Sequence, residues 1–153
     1  MKKQINFNVP EINVKATRKA VERILEKYRE YLLTLPSDFF PKITPSYSLL
    51  PPTNTNAFHS STEEASIERL EYEKARNDFM GNIHAAVNSL KPDERFIIVK
   101  RYMEEYIGYD PDIWAELGVG KTKFYDIKEK GMLRLAFALK IEVYKKRNGV
   151  KSA

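Results

Sequence analysis

Three consecutive residues, Gly120-Lys121-Thr122, are of types that can bind phosphate. They end the stretch AELGVGKT, residues 115–122, which is one glycine short of the loop that cradles nucleotide phosphates with backbone N–H groups and a lysine. Such a loop requires a buried strand before it. The preceding DPDIW instead has the composition of a helix start. The sequence therefore does not predict a nucleotide site.

The same stretch fits the tight turn of a helix-turn-helix, which we place at about residues 110–139. Asp110 is predicted to cap the first helix, and Gly118 to adopt the left-handed conformation that ends it. Phe124 and Ile127 are expected to face a core. The N-terminal residues of such a second helix read base edges in DNA, while flanking cations bind phosphates. The alternative is an ordinary helical hairpin that binds no DNA.

The candidate DNA-binding residues are the polar ones that this second helix, starting near Lys121, is expected to expose. Lysine and threonine can contact phosphates or bases. Tyr125 can contact a phosphate or a thymine methyl group, and Asp126 can accept a hydrogen bond from a cytosine amine. The candidates are Lys121, Thr122, Lys123, Tyr125, Asp126, Lys128, Lys130 and Arg134.

The net charge of +5 is unevenly distributed along the 153 residues. Residues 119–153 carry ten Lys/Arg against three Asp/Glu, whereas the preceding residues are slightly acidic. This asymmetry favours a polyanionic partner for the C-terminal segment, and double-stranded DNA is the one we expect. A solvated basic tail is the alternative.

Residues 14–35 have the periodicity of an amphipathic helix. Val21, Leu25, Tyr28 and Leu32 recur at helical spacing, and Pro36 follows. Lysines and arginines on this helix are balanced by glutamates. We therefore interpret it as an ordinary packing helix rather than as a contact with DNA or polymerase.

Residues 36–61 hold five of the eight prolines, so they predict neither a regular helix nor a central strand. This segment is a proline-rich arm or linker. Its large apolar side chains would contribute no stability if they were exposed to water, so we expect them to pack against a protein surface. The surface on which they dock is either this chain or a second copy of it. These side chains are Phe39, Phe40, Ile43, Tyr47, Leu49 and Leu50.

The remainder of the chain predicts further helices and no strand. Ser61 or Thr62 can cap a helix up to Leu90, whose apolar stripe begins at Tyr72 and Ala75. Pro92 is placed for another helix start. The fold class is therefore all-α. We divide the chain into an N-terminal helix (1–35), the arm (36–61), a helical bundle containing the helix-turn-helix (62–148) and a basic tail (149–153).

Composition argues against several other classes of function. The chain has no cysteine, and its two histidines, His59 and His84, are far apart, so we expect no metal or other cofactor. Carboxylates are plentiful, but none has a histidine or nucleophile at catalytic spacing, so we do not expect an enzyme. No apolar run reaches the ~20 residues that span a bilayer, so we expect no membrane association.

Two stretches resemble known families. SLKPDERFIIVKRYME followed by DIWAELGVGKTKFYDIKEKGMLRLA resembles region 4 of bacterial sigma-70 factors, which reads promoter DNA with a helix-turn-helix. The arm's FPKITPSYSL, with one helix before it and NTN and an acidic helix after it, resembles the ArpU family of phage and prophage late-gene regulators.

The resemblance implies a sequence-specific transcriptional regulator in the cytoplasm of a bacterial host cell. It would bind double-stranded DNA, and its N-terminal helix and arm would mediate either homo-oligomerisation or contact with RNA polymerase. The alternative within phage biology is a DNA-packaging adaptor of the small-terminase type, which would use the helix-turn-helix to bind packaging DNA.

Overall fold

The computed structural model describes residues 10–51 and 66–146, which form α-helices and one short hairpin. The elements are α1 (Val14–Leu33), β1 (Lys42–Ile43), β2 (Leu49–Leu50), α2 (Ile67–Asn88), α3 (Pro92–Ile98), α4 (Asp110–Leu117) and α5 (Lys121–Leu139). A 3₁₀ turn at Ser37–Phe39 follows α1, and a π-helical turn at Val99–Met103 extends α3. The predicted all-α class is confirmed.

Helix α1 forms where the sequence predicted it. The Asn13 side chain accepts a hydrogen bond from the Ala16 N–H at 3.0 Å and so caps its first turn. Val21, Leu25 and Tyr28 are buried, as their spacing predicted. This buried stripe makes α1 one wall of the main hydrophobic core.

The main core lies between α1, α2, the π-helical turn and the second half of α5. Its most deeply buried side chains include Val21, Leu25 and Tyr28 from α1, Ile83 and Val87 from α2, Ile98 from α3, Val99 from the π-helical turn, and Met132 and Leu135 from α5. Burying each large apolar side chain contributes about 1.5–3 kcal/mol. The N-terminal helix and the C-terminal helix therefore stabilise each other through one shared core.

Helix α2 differs in part from its predicted pattern. Its cap is Ser66, whose hydroxyl accepts from the Arg69 N–H at 3.3 Å, while the predicted caps lie outside the described residues. The predicted stripe residues Tyr72 and Ala75 are exposed. Helical periodicity alone does not show where a neighbouring helix begins to cover the stripe. The described first turns of α2 extend beyond the core, and burial starts near Arg76.

The proline-rich arm contains a hairpin that the sequence did not predict. Strand β1 pairs with β2 in antiparallel register, with Lys42 opposite Leu50. Two residues per strand are too few to produce a visible alternation. Leu49 is buried, and the Asn88 side chain bonds both its N–H and its carbonyl oxygen, at 3.0 and 3.1 Å. The described part of the arm thus docks on its own chain; positions 52–61 lie outside the described residues.

The segments that flank α1 and α5 lie antiparallel to each other. Ile12 forms a β-bridge with Tyr144, and the Asn13 N–H donates to the Val143 carbonyl oxygen at 2.8 Å. The buried Thr17 hydroxyl donates to the same carbonyl at 3.2 Å and accepts from the Val143 N–H at 3.0 Å. These bonds fix the start of α1 against the segment that follows α5. The predicted basic tail, 149–153, lies outside the described residues.

Within the described ranges, none of the helices combines the length and apolar character required to cross a bilayer.

Candidate nucleic-acid interface

Helices α4 and α5 are joined by a turn with the hydrogen bonds of a Schellman motif. Gly118 has φ 79° and ψ 29°, which is the left-handed conformation that the sequence predicted. Its N–H donates to the Ala115 carbonyl at 3.1 Å, and the Val119 N–H donates to the Trp114 carbonyl at 3.0 Å. The turn follows a helix and not a strand, so it lacks the setting of a nucleotide phosphate loop.

A second, smaller core holds the start of α5 in place. It contains Phe96 and Ile97 of α3, Ile113 of α4, and Phe124 and Ile127 of α5. Trp114, Leu117 and Val119 pack against its edge. The prediction that Phe124 and Ile127 face inward is confirmed. The opposite face of the first turns of α5 is therefore turned toward solvent.

The predicted cap at Asp110 is wrong. The N-cap is Tyr109, and Asp110 is the first helical residue. Its carboxylate instead pairs with Arg101 Nε at 3.2 Å and lies 3.9 Å from Lys128 Nζ. The carboxylate is attracted to these two cations, which belong to other elements of the fold. Asp110 thereby ties α4 to the π-helical turn and to α5.

Lys121, Thr122 and Lys123 form the exposed first turn of α5. The N-cap, Gly120, has no side chain to occupy the N–H groups of this turn. These N–H groups carry the positive end of the helix dipole. In the described part of the chain, neither lysine forms an ion pair. The three residues together present two cationic side chains and free backbone donors to an anion.

Tyr125 and Lys128 lie on the side of α5 that faces α1 and the loop before α4. Tyr125 is 43% exposed, and its ring packs against Phe124 and Trp114, with centroids 5.2 and 6.3 Å away. Lys128 Nζ lies 5.9 Å from the centre of the Tyr125 ring. Burial lowers the pKa of Lys128, against the opposing effect of Asp110. The ammonium group is thus held among rings and carboxylates at the edge of the exposed surface.

The other candidates have intramolecular partners. Lys130 pairs with Asp126 at 3.1 Å in an exposed i,i+4 ion pair. Arg134 Nε binds both carboxylate oxygens of the buried Glu94, at 2.8 and 3.1 Å. A β-carbon on Gly131 would lie 3.1 Å from Glu94 Cβ, so α3 and α5 approach closely here. The structure therefore gives Arg134 a role in packing α3 against α5, about 20 Å along the helix from Lys121.

Sequence reasoning set aside the basic residues of α1, but the structure places three of them beside α5. Lys15, Arg18 and Lys19 line a groove whose other wall includes Tyr125 and Lys128. Their i, i+3, i+4 spacing puts them on one face of α1, and this was the available signal. Their proximity to α5 depends on how two helices distant in sequence pack, which local periodicity does not reveal.

Comparison with known proteins places the chain among phage proteins. It is 31% identical over 139 residues to the phage-related protein Lin1259/Lin1739 of Listeria innocua serovar 6a, covering 91% of this chain and 97% of that protein. It is 28% identical over 140 residues to the protein Gp66 of Listeria phage A118, covering 90% and 96%. No family model matches the chain, and no solved structure matches it. The chain belongs to the family of phage-related proteins that includes Lin1259/Lin1739.

Proposed function

We propose that this protein is a sequence-specific DNA-binding regulator of phage or prophage late-gene transcription. The observation that carries the proposal is the first turn of α5, where Lys121, Thr122 and Lys123 are exposed together beyond a helix-turn-helix turn. The small core around Phe124 fixes that turn on the protein. A pre-positioned helix start of this kind fits the major groove of DNA.

Each residue of this surface has a chemical role in the proposal. Lys121 and Lys123 bind phosphates or the acceptor atoms of guanine, and Thr122 contacts a base edge. Tyr125 contacts a phosphate or a thymine methyl group. Asp126 accepts from a cytosine amine through Oδ1, the carboxylate oxygen that its pair with Lys130 leaves open. Lys128 reinforces the positive potential from the side.

The sequence resemblances to sigma-70 region 4 and to the ArpU family support a role in transcription. The names of the relatives support a phage setting. Within this proposal the protein is not an enzyme, forms a homo-oligomer, and contacts RNA polymerase through parts of the chain away from α5. Its place of action is the bacterial host cell.

Two measurements test the proposal. The first selects the duplexes that the protein binds from a random DNA pool, and the second determines the mass of the protein–DNA complex. A defined recognition sequence bound by a small oligomer supports a regulator. A closed ring of about eight or more subunits would instead identify a packaging adaptor. Binding that does not weaken with salt, or no binding, would show that the helix-turn-helix serves only the fold.

A further inference from the structure

A groove between α1 and α5 carries more cationic than anionic side chains. We call it the α1–α5 groove. Its lining residues are Lys15, Arg18, Lys19 and Glu22 on α1, and Tyr125, Lys128, Glu129 and Met132 on α5. Four cations thus face two carboxylates across it. The groove adjoins the candidate recognition surface, because Tyr125 belongs to both.

The three cations of α1 are not neutralised at short range by the described part of the chain. Lys15, Arg18 and Lys19 are exposed, and none of them forms an ion pair with a described carboxylate. Other lysines do have such partners: Lys100 lies 3.6 Å from both Glu104 and Glu116. The charge of the basic α1 face is therefore available to an external anion.

The basic face of α1 is also held rigidly relative to α5. Thr17, which lies between Lys15 and Arg18, is fully buried and bonded to Val143 just beyond α5. Val21 packs in the same core as Met132 of α5. A ligand bound by both helices would not have to order either of them first, which lowers the cost of binding.

We propose that the α1–α5 groove binds the sugar-phosphate backbone of DNA beside the bases that α5 reads. This inference rests on the proposed function, since it requires α5 to lie in the major groove. Packed helices have axes about 8–10 Å apart, and the major groove is about 12 Å wide. A strand that borders the groove therefore passes over the helix packed beside α5. Lys15, Arg18 and Lys19 are phosphate contacts in this arrangement, and α1 sets the register of the protein on the duplex.

The test is a triple variant of the full chain, Lys15→Gln/Arg18→Gln/Lys19→Gln. Its affinity for the selected site and for random duplex is measured at several salt concentrations. Removing three phosphate contacts should lower the salt slope by about 2–3 units and weaken binding roughly 10- to 100-fold. Both DNAs should be affected alike, because backbone contacts carry no sequence information. Lys15→Arg/Lys19→Arg retains the charge and should keep parental affinity.

The matched control removes three charges elsewhere, with Lys42→Gln/Lys74→Gln/Lys91→Gln. These lysines are exposed and lie outside the α1–α5 groove. If the triple variant binds like this control while Lys121→Ala/Lys123→Ala no longer binds DNA, the groove inference is wrong and the proposed function stands. If the parent protein binds no DNA, both fail. A weakening confined to the selected site would show that α1 reads bases, which would also overturn the inference.

Discussion

Arg134 covers the buried carboxylate of Glu94 with a bond from Nε to each oxygen, at 2.8 and 3.1 Å. Glu94 is 2% exposed and belongs to α3, whereas Arg134 is on α5 and reaches solvent with the rest of its side chain. The pair therefore joins α3 to the second half of α5. The sequence predicted a DNA contact for this arginine, whereas the structure shows its contact with α3.

Replacing Arg134 with alanine should destabilise the protein by about 1–3 kcal/mol, because it leaves a buried charged acceptor without its partner. Lys130→Ala is the control: its pair with Asp126 is exposed on both sides and should contribute less than about 0.5 kcal/mol. Urea unfolding of both variants measures the difference. Unchanged stability together with weaker binding to every DNA would restore Arg134 as a phosphate contact.

Gly118→Ala should lower the free energy of unfolding by about 1–2 kcal/mol, because φ 79° is unfavourable for any residue with a β-carbon. Gly120→Ala is its matched control. Gly120 has φ −83° and open space around its α-carbon, so alanine there should stay within about 0.5 kcal/mol of the parent. Thermal unfolding compares the two. Equal costs at both positions would mean that the left-handed turn is not what terminates α4.

Lys121→Ala and Lys123→Ala should each weaken DNA binding. If the lysine binds a phosphate, its removal lowers affinity for all sequences and reduces the salt slope by about one unit. If the lysine binds a base, its removal instead relaxes preference at one position by about 1–3 kcal/mol. Titrations of selected and random duplexes distinguish the two. Lys91→Ala, at an exposed position before α3, is the control. If both variants bind DNA with the affinity of the parent protein, the start of α5 does not contact DNA.

His84 should make stability depend on pH. Burial lowers its pKa from 6.5 to about 4, and its Nε2 lies 2.7 Å from the Tyr28 hydroxyl. The imidazole of the unfolded chain takes up a proton near pH 6.5, whereas that of the folded chain stays neutral down to about pH 4. The contribution of the neutral histidine to the free energy of unfolding is therefore complete above pH 6.5 and is lost as pH falls toward 4. The loss amounts to about 3 kcal/mol.

The contribution of His84 is isolated by measuring the free energy of unfolding of His84→Asn across this pH range, because the variant keeps every other titrating group. The variant should show a flatter dependence than the parent between pH 6.5 and 4. Tyr28→Phe is the companion variant: it removes the hydroxyl but leaves the imidazole buried, so it should lose stability at every pH and keep the slope. Identical slopes in the parent and His84→Asn would contradict a buried neutral histidine.

Asn88→Ala should release the hairpin of the arm. The Asn88 side chain satisfies both backbone groups of Leu49, so its removal leaves them without these bonds and should cost about 1–3 kcal/mol. Hydrogen exchange at the Leu49 amide should accelerate. Asn82→Ala changes an exposed residue on the same helix and should leave that amide unaffected. Undisturbed protection in Asn88→Ala would mean that side-chain packing alone holds the arm.

The features predicted correctly are local ones. The left-handed Gly118, the inward Phe124 and the buried stripe of α1 each follow from neighbours within one or two turns. The errors arose where distant segments meet. Asp110 was expected to cap its own helix, but Arg101 and Lys128 reach it from other elements. The basic face of α1 and the buried Arg134–Glu94 pair likewise depend on helix packing that no single segment encodes.

The chain's single tryptophan gives the smaller core an optical signal of its own. Trp114 lies on α4, with its ring 5.6 Å from Phe124, while the main core around Tyr28 and Leu25 contains no tryptophan. Tryptophan emission therefore follows the smaller core, whereas far-ultraviolet circular dichroism follows every helix. If the tryptophan signal changes at a lower denaturant concentration than the circular dichroism, the smaller core opens before the main core. Coincident curves would instead make the two cores one cooperative unit.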